Sequence, residues 1–514
     1  MSNRTSNVIK NSSASLIQKL VHIIVQFVLR TVFIFILGKE YTGISGLFTD
    51  MLQVLSLMEL GLDGSMIYSL YVPLAQKDFH KVSALLKFYK TAFNITGIVV
   101  LGLGIACTPF LSVIVKGVPN ISEDIRLIFM MYVITSAFSY FLIYKSVLLK
   151  ADQKSNIVSL WDSITTIVEC IIEIILLVFF KKFFIYLIVH FIATVGRNII
   201  ISEISNRKYP EYFSTTDAQL TKTEKIELYK YLAYITVYNI SGVAINSTDS
   251  MFISAFVGTA EIAIIGNFTL IVGSVRTGIN RIFNAAKASV GNLAATSTYE
   301  KQMQIFKRMN FMSFWLSCFC CTCLFTLLNP FIGNIWFDPS YKVDITIVAV
   351  LVVNFYIAVM VYPVEAFRAA NGLFVEGWPR PAIMAVLNIL LDFLLGKSWG
   401  ITGILVATTI SRLATQVWYD PWLVYRRVFN RSVFPYFFQY SYYAVSTFFC
   451  CLISFFICNL ITLNLTYIDF LLRMFISVAI PNLMMVVFFR KSDEFNYVLG
   501  IMYMLRNKVL RKYY

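Results

Sequence analysis

Three observations mark this chain as an all-α polytopic membrane protein with about fourteen transmembrane helices. Only 14% of its 514 residues are charged while 58% are hydrophobic, and the mean hydropathy is +0.72. A water-soluble domain carries roughly 25% charged residues. The apolar runs have the length, about 20 residues, at which a helix crosses a ~30 Å hydrocarbon core. The basic residues between runs also alternate, many in one connection and few in the next, as the positive-inside rule requires.

In order, the first six runs are Leu16–Leu37, Ile44–Tyr71, Thr91–Val115, Ile125–Leu149, Ile157–Phe180 and Phe183–Ile204. Leu228–Val257, Ile262–Val290, Met312–Ile335 and Ile345–Phe367 follow. The last four are Ala382–Leu395, which is the shortest, Ile401–Tyr425, Tyr436–Ile461 and Tyr467–Phe489. The first run lacks a small-residue cleavage site behind a short apolar core, so it reads as a retained span. An even count places both termini on one side. Starting inside, the inner connections hold Lys77, Lys81, Lys87, Lys90, Lys150, Lys154, Arg207, Lys208, Lys222 and Lys225 in the first half. Lys301, Lys307, Arg308, Arg368, Arg380, Arg426, Arg427 and Arg431 continue the series. Outer connections hold Lys39, Lys116, Lys181, Lys182, Lys342 and Lys397. Losing one helix from the middle would invert every later connection and erase this bias.

The longest polar connection, Ser205–Lys225, divides six runs from eight. It gives an N-lobe over residues 1–226, a C-lobe over 227–433, two further helices over 434–489 and a tail over 490–514. In the tail, Leu499, Met502, Tyr503, Leu505 and Val509 alternate with Arg506, Lys508, Arg511 and Lys512, the pattern of a basic amphipathic helix on a membrane surface. A repeat links the lobes. Gly38, Ile44, Gly46, Phe48 and Thr49 recur at one interval as Gly258, Ile264, Gly266, Phe268 and Thr269. Lys150-Ala151-Asp152-Gln153 is echoed by Arg368-Ala369-Ala370-Asn371 at nearly that interval. Six helices per repeat keep the same orientation, so the lobes form a parallel repeat.

Ionisable groups inside a membrane are costly and mark function. Spacings of three, four and seven place them on single helix faces. His22, Gln26 and Arg30 share a stripe, as do Glu59 with Asp63, Asp162 with Glu169 and Glu173, and His190 with Arg197. Asn239, Asn246 and Asp249 form another, followed by Arg276, Asn280, Asn284 and Lys287, then Arg412 with Gln416. Arg276 and Arg412 lie mid-run, beyond the reach of snorkelling, and the planar guanidinium suits bidentate phosphate recognition. The candidate substrate-binding residues are therefore Arg30, Arg197, Arg276 and Arg412. The candidate ion-coupling residues are Glu59, Asp63, Glu169, Glu173 and Asp249, since a carboxyl group in low dielectric can link proton or cation binding to conformation.

Other chemistries lack their signatures. The net charge of +15 comes with no soluble basic segment interleaved with aromatics, so nucleic acid is not a partner. No G-x-x-x-x-G-K-[ST] loop is present for ATP. Cys318, Cys320, Cys321 and Cys323 scatter around a helix and read as small apolar residues. His22, His80 and His190 stand without an acidic or cysteine pattern in the sequence around them, so neither a metal nor a cofactor is expected, and the chain reads as a non-enzyme.

Specific motifs add a resemblance. L-G-K-E-Y-T-G-I-S-G-L-F from Leu37, L-S-L-M-E-L-G-L from Leu55 and S-L-Y-V-P-L-A-Q-K-D from Ser69 resemble the Wzx-type polysaccharide flippases. These form the oligosaccharidyl-lipid branch of the multidrug/oligosaccharidyl-lipid/polysaccharide exporter superfamily. G-I-T-G-I-L-V-A-T-T-I-S from Gly400 and W-Y-D-P-W at Trp418 add to it. The chain departs from that pattern at Val72, where relatives often carry a basic residue, and at Asp63, where a small or apolar residue is common. The resemblance implies two six-helix lobes around a central cavity plus two C-terminal helices, in a bacterial cytoplasmic membrane with both termini inside. It implies an undecaprenyl-diphosphate-linked oligosaccharide as cargo for capsule, exopolysaccharide or O-antigen assembly, with membrane lipids, a proton or sodium ion and other assembly proteins as partners. Two rivals remain open: a drug or cation exporter of the same superfamily, and a polytopic glycan polymerase or ligase.

Overall fold

The computed structural model describes residues 2–56, 62–116, 121–214, 218–373, 376, 379–461 and 465–510. It is helical throughout, with no strand among the described residues. The chain forms two compact units, Met1–Ala263 and Ile264–Tyr514. This division lies later than the expected lobe boundary at residue 226.

The first unit contains α1 (Ser2–Leu55), α2 (Leu62–Gln76), α3 (Phe79–Cys107), α4 (Leu111–Ile114), α5 (Ile125–Ser139) and α6 (Tyr144–Ala151). It continues through α7 (Ser155–Phe180), α8 (Phe183–Lys208), α9 (Pro210–Ser214) and α10 (Lys222–Phe256). α7 packs on α1 and α8, α3 on α5 and α2, and α10 on α1. The last contact explains why α10 belongs here: Ser247 donates to Gln53 at 2.9 Å and Ser250 donates to Asp50.

α11 (Thr259–Thr296) begins in the first unit and runs into the second. The second unit then holds α12 (Tyr299–Pro330), α13 (Ile345–Met360), α14 (Tyr362–Ala370), α15 (Pro379–Ala414), α16 (Gln416–Val424), α17 (Phe434–Leu460), α18 (Thr466–Phe489) and α19 (Asp493–Leu510). α12 is its central post, touching α13, α17, α18 and α19. The stacked rings of Phe314 and Tyr443, 3.9 Å apart, fasten α12 to α17. The start of the expected surface helix packs too, with Phe495 stacked on Trp315 at 5.2 Å.

Ten helices among the described residues are long and apolar enough to cross a membrane, or eleven with the bent pair α5–α6. This falls below the expected fourteen, and geometry supplies part of the reason. The apolar stretches Ala14–Leu55 and Pro379–Phe429 contain 42 and 51 residues. At 1.5 Å per residue each runs to about 60–75 Å, twice the thickness of the hydrocarbon core. Each is broken by a glycine in a conformation closed to other residues, Gly38 (φ 86°) and Gly400 (φ 57°). After Gly400 the chain doubles back so tightly that a Cβ on Gly403 would lie 2.1 Å from the Leu395 carbonyl oxygen.

The repeat has a backbone counterpart. Asp152, Gln153 and Lys154 donate to the carbonyls of Leu148, Lys150 and Leu149. Asn371, Gly372 and Leu373 donate in the same pattern to Phe367, Ala369 and Arg368. Gln153 and Gly372, with φ of 56° and 69°, are the left-handed residues of these two helix stops. The hydrogen bonds match Leu149 with Arg368, one residue out of step with the Lys150–Arg368 alignment read from the sequence.

The connection Ser205–Lys225 is less loose than its polarity predicts. Tyr209, Tyr212, Ala218 and Leu220 are buried in one apolar cluster with Leu85, Tyr89 and Leu148. Ser83 donates to the Tyr212 carbonyl at 2.6 Å.

Candidate functional site

In the first unit, polar stripes on three helices converge. Glu169 and Glu173, one turn apart on α7, are buried. His190 Nδ1 on α8 lies 2.7 Å from Glu169 and 3.8 Å from Glu173. Arg197, two turns further along α8, donates from Nη2 to Glu169 at 3.0 Å and from Nη1 to Asp162 at 3.1 Å. Gln18 on α1 donates to the other Asp162 oxygen at 2.6 Å. The Tyr186 ring lies parallel to the His190 imidazole, with centroids 6.1 Å apart. Glu173 Oε1 has no hydrogen-bond partner among the described residues.

Three carboxylates thus face one guanidinium and one imidazole. With a neutral imidazole the formal charge is −2, a surplus a proton or cation would relieve. Glu169, Glu173 and His190 present ligand atoms within 4.8 Å of one another, the grouping among the described residues that could hold an ion. This corrects the reading of His190 as lacking acidic company: its neighbours come from another helix, about 20 residues earlier. Arg197, a candidate for the cargo, stands against Asp162 and Glu169. Its guanidinium is already engaged by two carboxylates, so its charge is satisfied within the protein.

The second unit has the opposite balance. Tyr362 lies within electrostatic reach of Arg276, Arg412 and Glu365. Glu365, which accepts from Gln416 at 3.2 Å, in turn feels Lys287, Arg368 and Arg380. Arg368 donates to Asp420 at 2.9 Å, and Arg380 Nε lies 3.1 Å from the same oxygen. Five cations surround two carboxylates. Arg368 and Arg380, expected as loop cations, are buried against Asp420, whose side chain is 0% exposed. In the sequence nothing distinguishes Asp420 beyond its place in W-Y-D-P-W.

The remaining candidates lie elsewhere. Arg30 is half-buried on α1 and donates to the Ala263 carbonyl at 2.9 Å. Asp63 is half-exposed in the first turn of α2 and pairs with Lys150 at 3.0 Å. Asp249 is half-buried on α10, beside the Ser250–Asp50 bond. Glu59 lies outside the described residues.

The two charge sets, opposite in balance, lie one in each unit of an all-helical chain with ten or eleven helices long and apolar enough to cross a membrane among the described residues. Comparison with solved structures shows a fold similar to that of known membrane transporters, one of them described as belonging to the MOP superfamily. It resembles the lipid II flippase MurJ in an inward closed conformation, with a TM-score of 0.60 and 15% identity, covering 94% of this chain and 99% of that one. An inward-facing multidrug resistance MATE family transporter matches at TM-score 0.57 and 12% identity, over 82% of this chain and 98% of that one. The Vibrio cholerae MATE transporter VcmN matches at 0.56 and 13%, over 84% and 99%. No family model and no curated protein sequence matches.

Proposed function

We propose that the chain is a flippase that moves an undecaprenyl-diphosphate-linked oligosaccharide from the inner to the outer leaflet by alternating access, in capsule, exopolysaccharide or O-antigen-type assembly. The observation that carries this reading is the surplus of guanidinium groups around Tyr362. Arg276 and Arg412 both act electrostatically on Tyr362, and the planar guanidinium suits an anionic cargo. Fixed cations at a diphosphate replace part of its hydration and lower the barrier to crossing without bond chemistry. Arg30 is a further candidate for the same diphosphate. Arg197 moves to the coupling set with Glu169 and Glu173, which exchange a proton or sodium ion. Asp63, Asp249 and Glu59 stay in reserve for coupling. The chain sits in the bacterial cytoplasmic membrane with both termini in the cytoplasm.

The acidic surplus of the first unit favours a second reading, export of an organic cation. Proteoliposomes separate the two. Arg276→Ala should cut lipid-linked headgroup translocation at least tenfold while leaving thermal stability unchanged, and full activity would remove Arg276 from the mechanism. Uptake of a cationic dye that Glu169→Gln abolishes, with no headgroup movement, would establish the exporter instead.

A further inference from the structure

A cavity of about 680 Å³ opens in the first unit between α3, the start of α10 and the docked connection at Ala218–Leu220. Its volume is that of a ligand site. Its two ends differ in chemistry. Lys87 and Lys225, both exposed, stand at one end beside Tyr229, and Ala92, Ile95 and Leu232 line the other. Lys87 lies eight residues into α3 and Lys225 in the first turn of α10. Ile95 lies about 12 Å further along α3. Cations therefore face the polar layer at the helix starts, and apolar side chains face the hydrocarbon. That is the order of charge and grease in an anionic lipid, and the Tyr229–Phe88 pair, 5.2 Å apart, has the amphipathic character of interfacial aromatics.

The cations are placed by secondary structure. Thr221 and Glu224 form a capping box that fixes the start of α10, and Glu224 also takes the Lys81 ammonium. Lys81 is thereby neutralised within the protein. Lys225 has no side-chain hydrogen bond or ion pair among the described residues, while Lys87 reaches the Ala218 carbonyl at 3.5 Å. The wall they share is the connection itself.

We propose that this cavity binds one anionic phospholipid from the adjoining leaflet, its phosphate met by Lys87 and Lys225 and an acyl chain laid against Ala92 and Ile95. The lipid braces the connection against α3. This site is separate from the charge sets assigned to transport.

The test is native mass spectrometry of the full-length protein released from nanodiscs of equal phosphatidylglycerol and phosphatidylcholine. The wild type should retain one phosphatidylglycerol in preference to phosphatidylcholine. The double variant Lys87→Gln/Lys225→Gln should lose that preference at least tenfold, and Ala92→Phe should lower retention of both lipids. Lys90→Gln removes one positive charge from α3 outside the cavity and should change nothing. All variants are checked for unaltered thermal unfolding, and if the double variant unfolds early it is replaced by Lys225→Gln alone, with the same expected direction. Preference kept by the double variant, or lost equally in Lys90→Gln, overturns the site in favour of diffuse surface charge. Displacement of the lipid by glycerol phosphate alone overturns the role of the apolar end. Displacement by equimolar undecaprenyl phosphate overturns the phospholipid in favour of the cargo carrier.

Discussion

The acidic set on α7–α8 and the basic set around Asp420 are both buried charge networks, but they are built for different ends. Asp420 is closed off, with Arg368 and Arg380 side chains 4% and 10% exposed. In the first unit, Arg197 and His190 are 25% and 37% exposed, so the network can be reached. In the second unit one carboxylate is pinned by two cations and cannot release either without leaving an uncompensated charge. In the first, one guanidinium is spread over two carboxylates and a third keeps an oxygen without a partner among the described residues. Burial of charge alone does not tell the two networks apart; exposure and surplus do.

The comparison is most directly broken at Asp420. Asp420→Ala leaves two buried guanidinium groups facing one another and should cost about 3–5 kcal/mol, read as early thermal unfolding of the purified protein. Wild-type stability would mean that the pair is not a lock. Glu173→Gln should do the reverse, leaving thermal unfolding unchanged while abolishing the dependence of transport on a proton or sodium gradient. Transport that still tracks the gradient would take Glu173 out of coupling.

The smallest effect lies outside both sets, at the Lys81–Glu224 bridge. The ammonium and the Thr221 backbone hold the Glu224 carboxyl at about 2, below its ordinary value of 4.5. A depressed carboxyl contributes stability that is present above the unfolded value and lost as pH falls from about 4.5 through about 2. Because the group is more than a third exposed, the contribution is at most about 1 kcal/mol. Glu224→Gln should flatten the stability curve across that window, and an unchanged acid limb would show the bridge to be idle.

Much of this was legible in the sequence. Run length and loop charge gave the all-helical, multi-pass build, and the spacing of Asp162, Glu169 and Glu173 placed them on one face of α7 before any partner was known. What could not be read was which stripe meets which. His190 is about one helix away from Glu169 in sequence, and periodicity describes a face without naming its neighbour. Arg368 and Arg380 are deceptive in sequence for a related reason. Cations between apolar runs look solvated, and only the fold brings Asp420, some 40 to 50 residues later, against them. The fold-back at Gly400 was hidden because a glycine in a helix and a glycine that ends one are the same letter.

The paired helix stops after α6 and α14 bear on how such a chain diversifies. Their matching amides and carbonyls belong to the backbone, so the motif survives almost any replacement of side chains. Around one stop Lys150 meets the half-exposed Asp63, and around the other Arg368 meets the buried Asp420. Hydrogen-bond register is therefore a more durable record of a duplication than residue identity, and a one-residue error in aligning letters is corrected by aligning bonds.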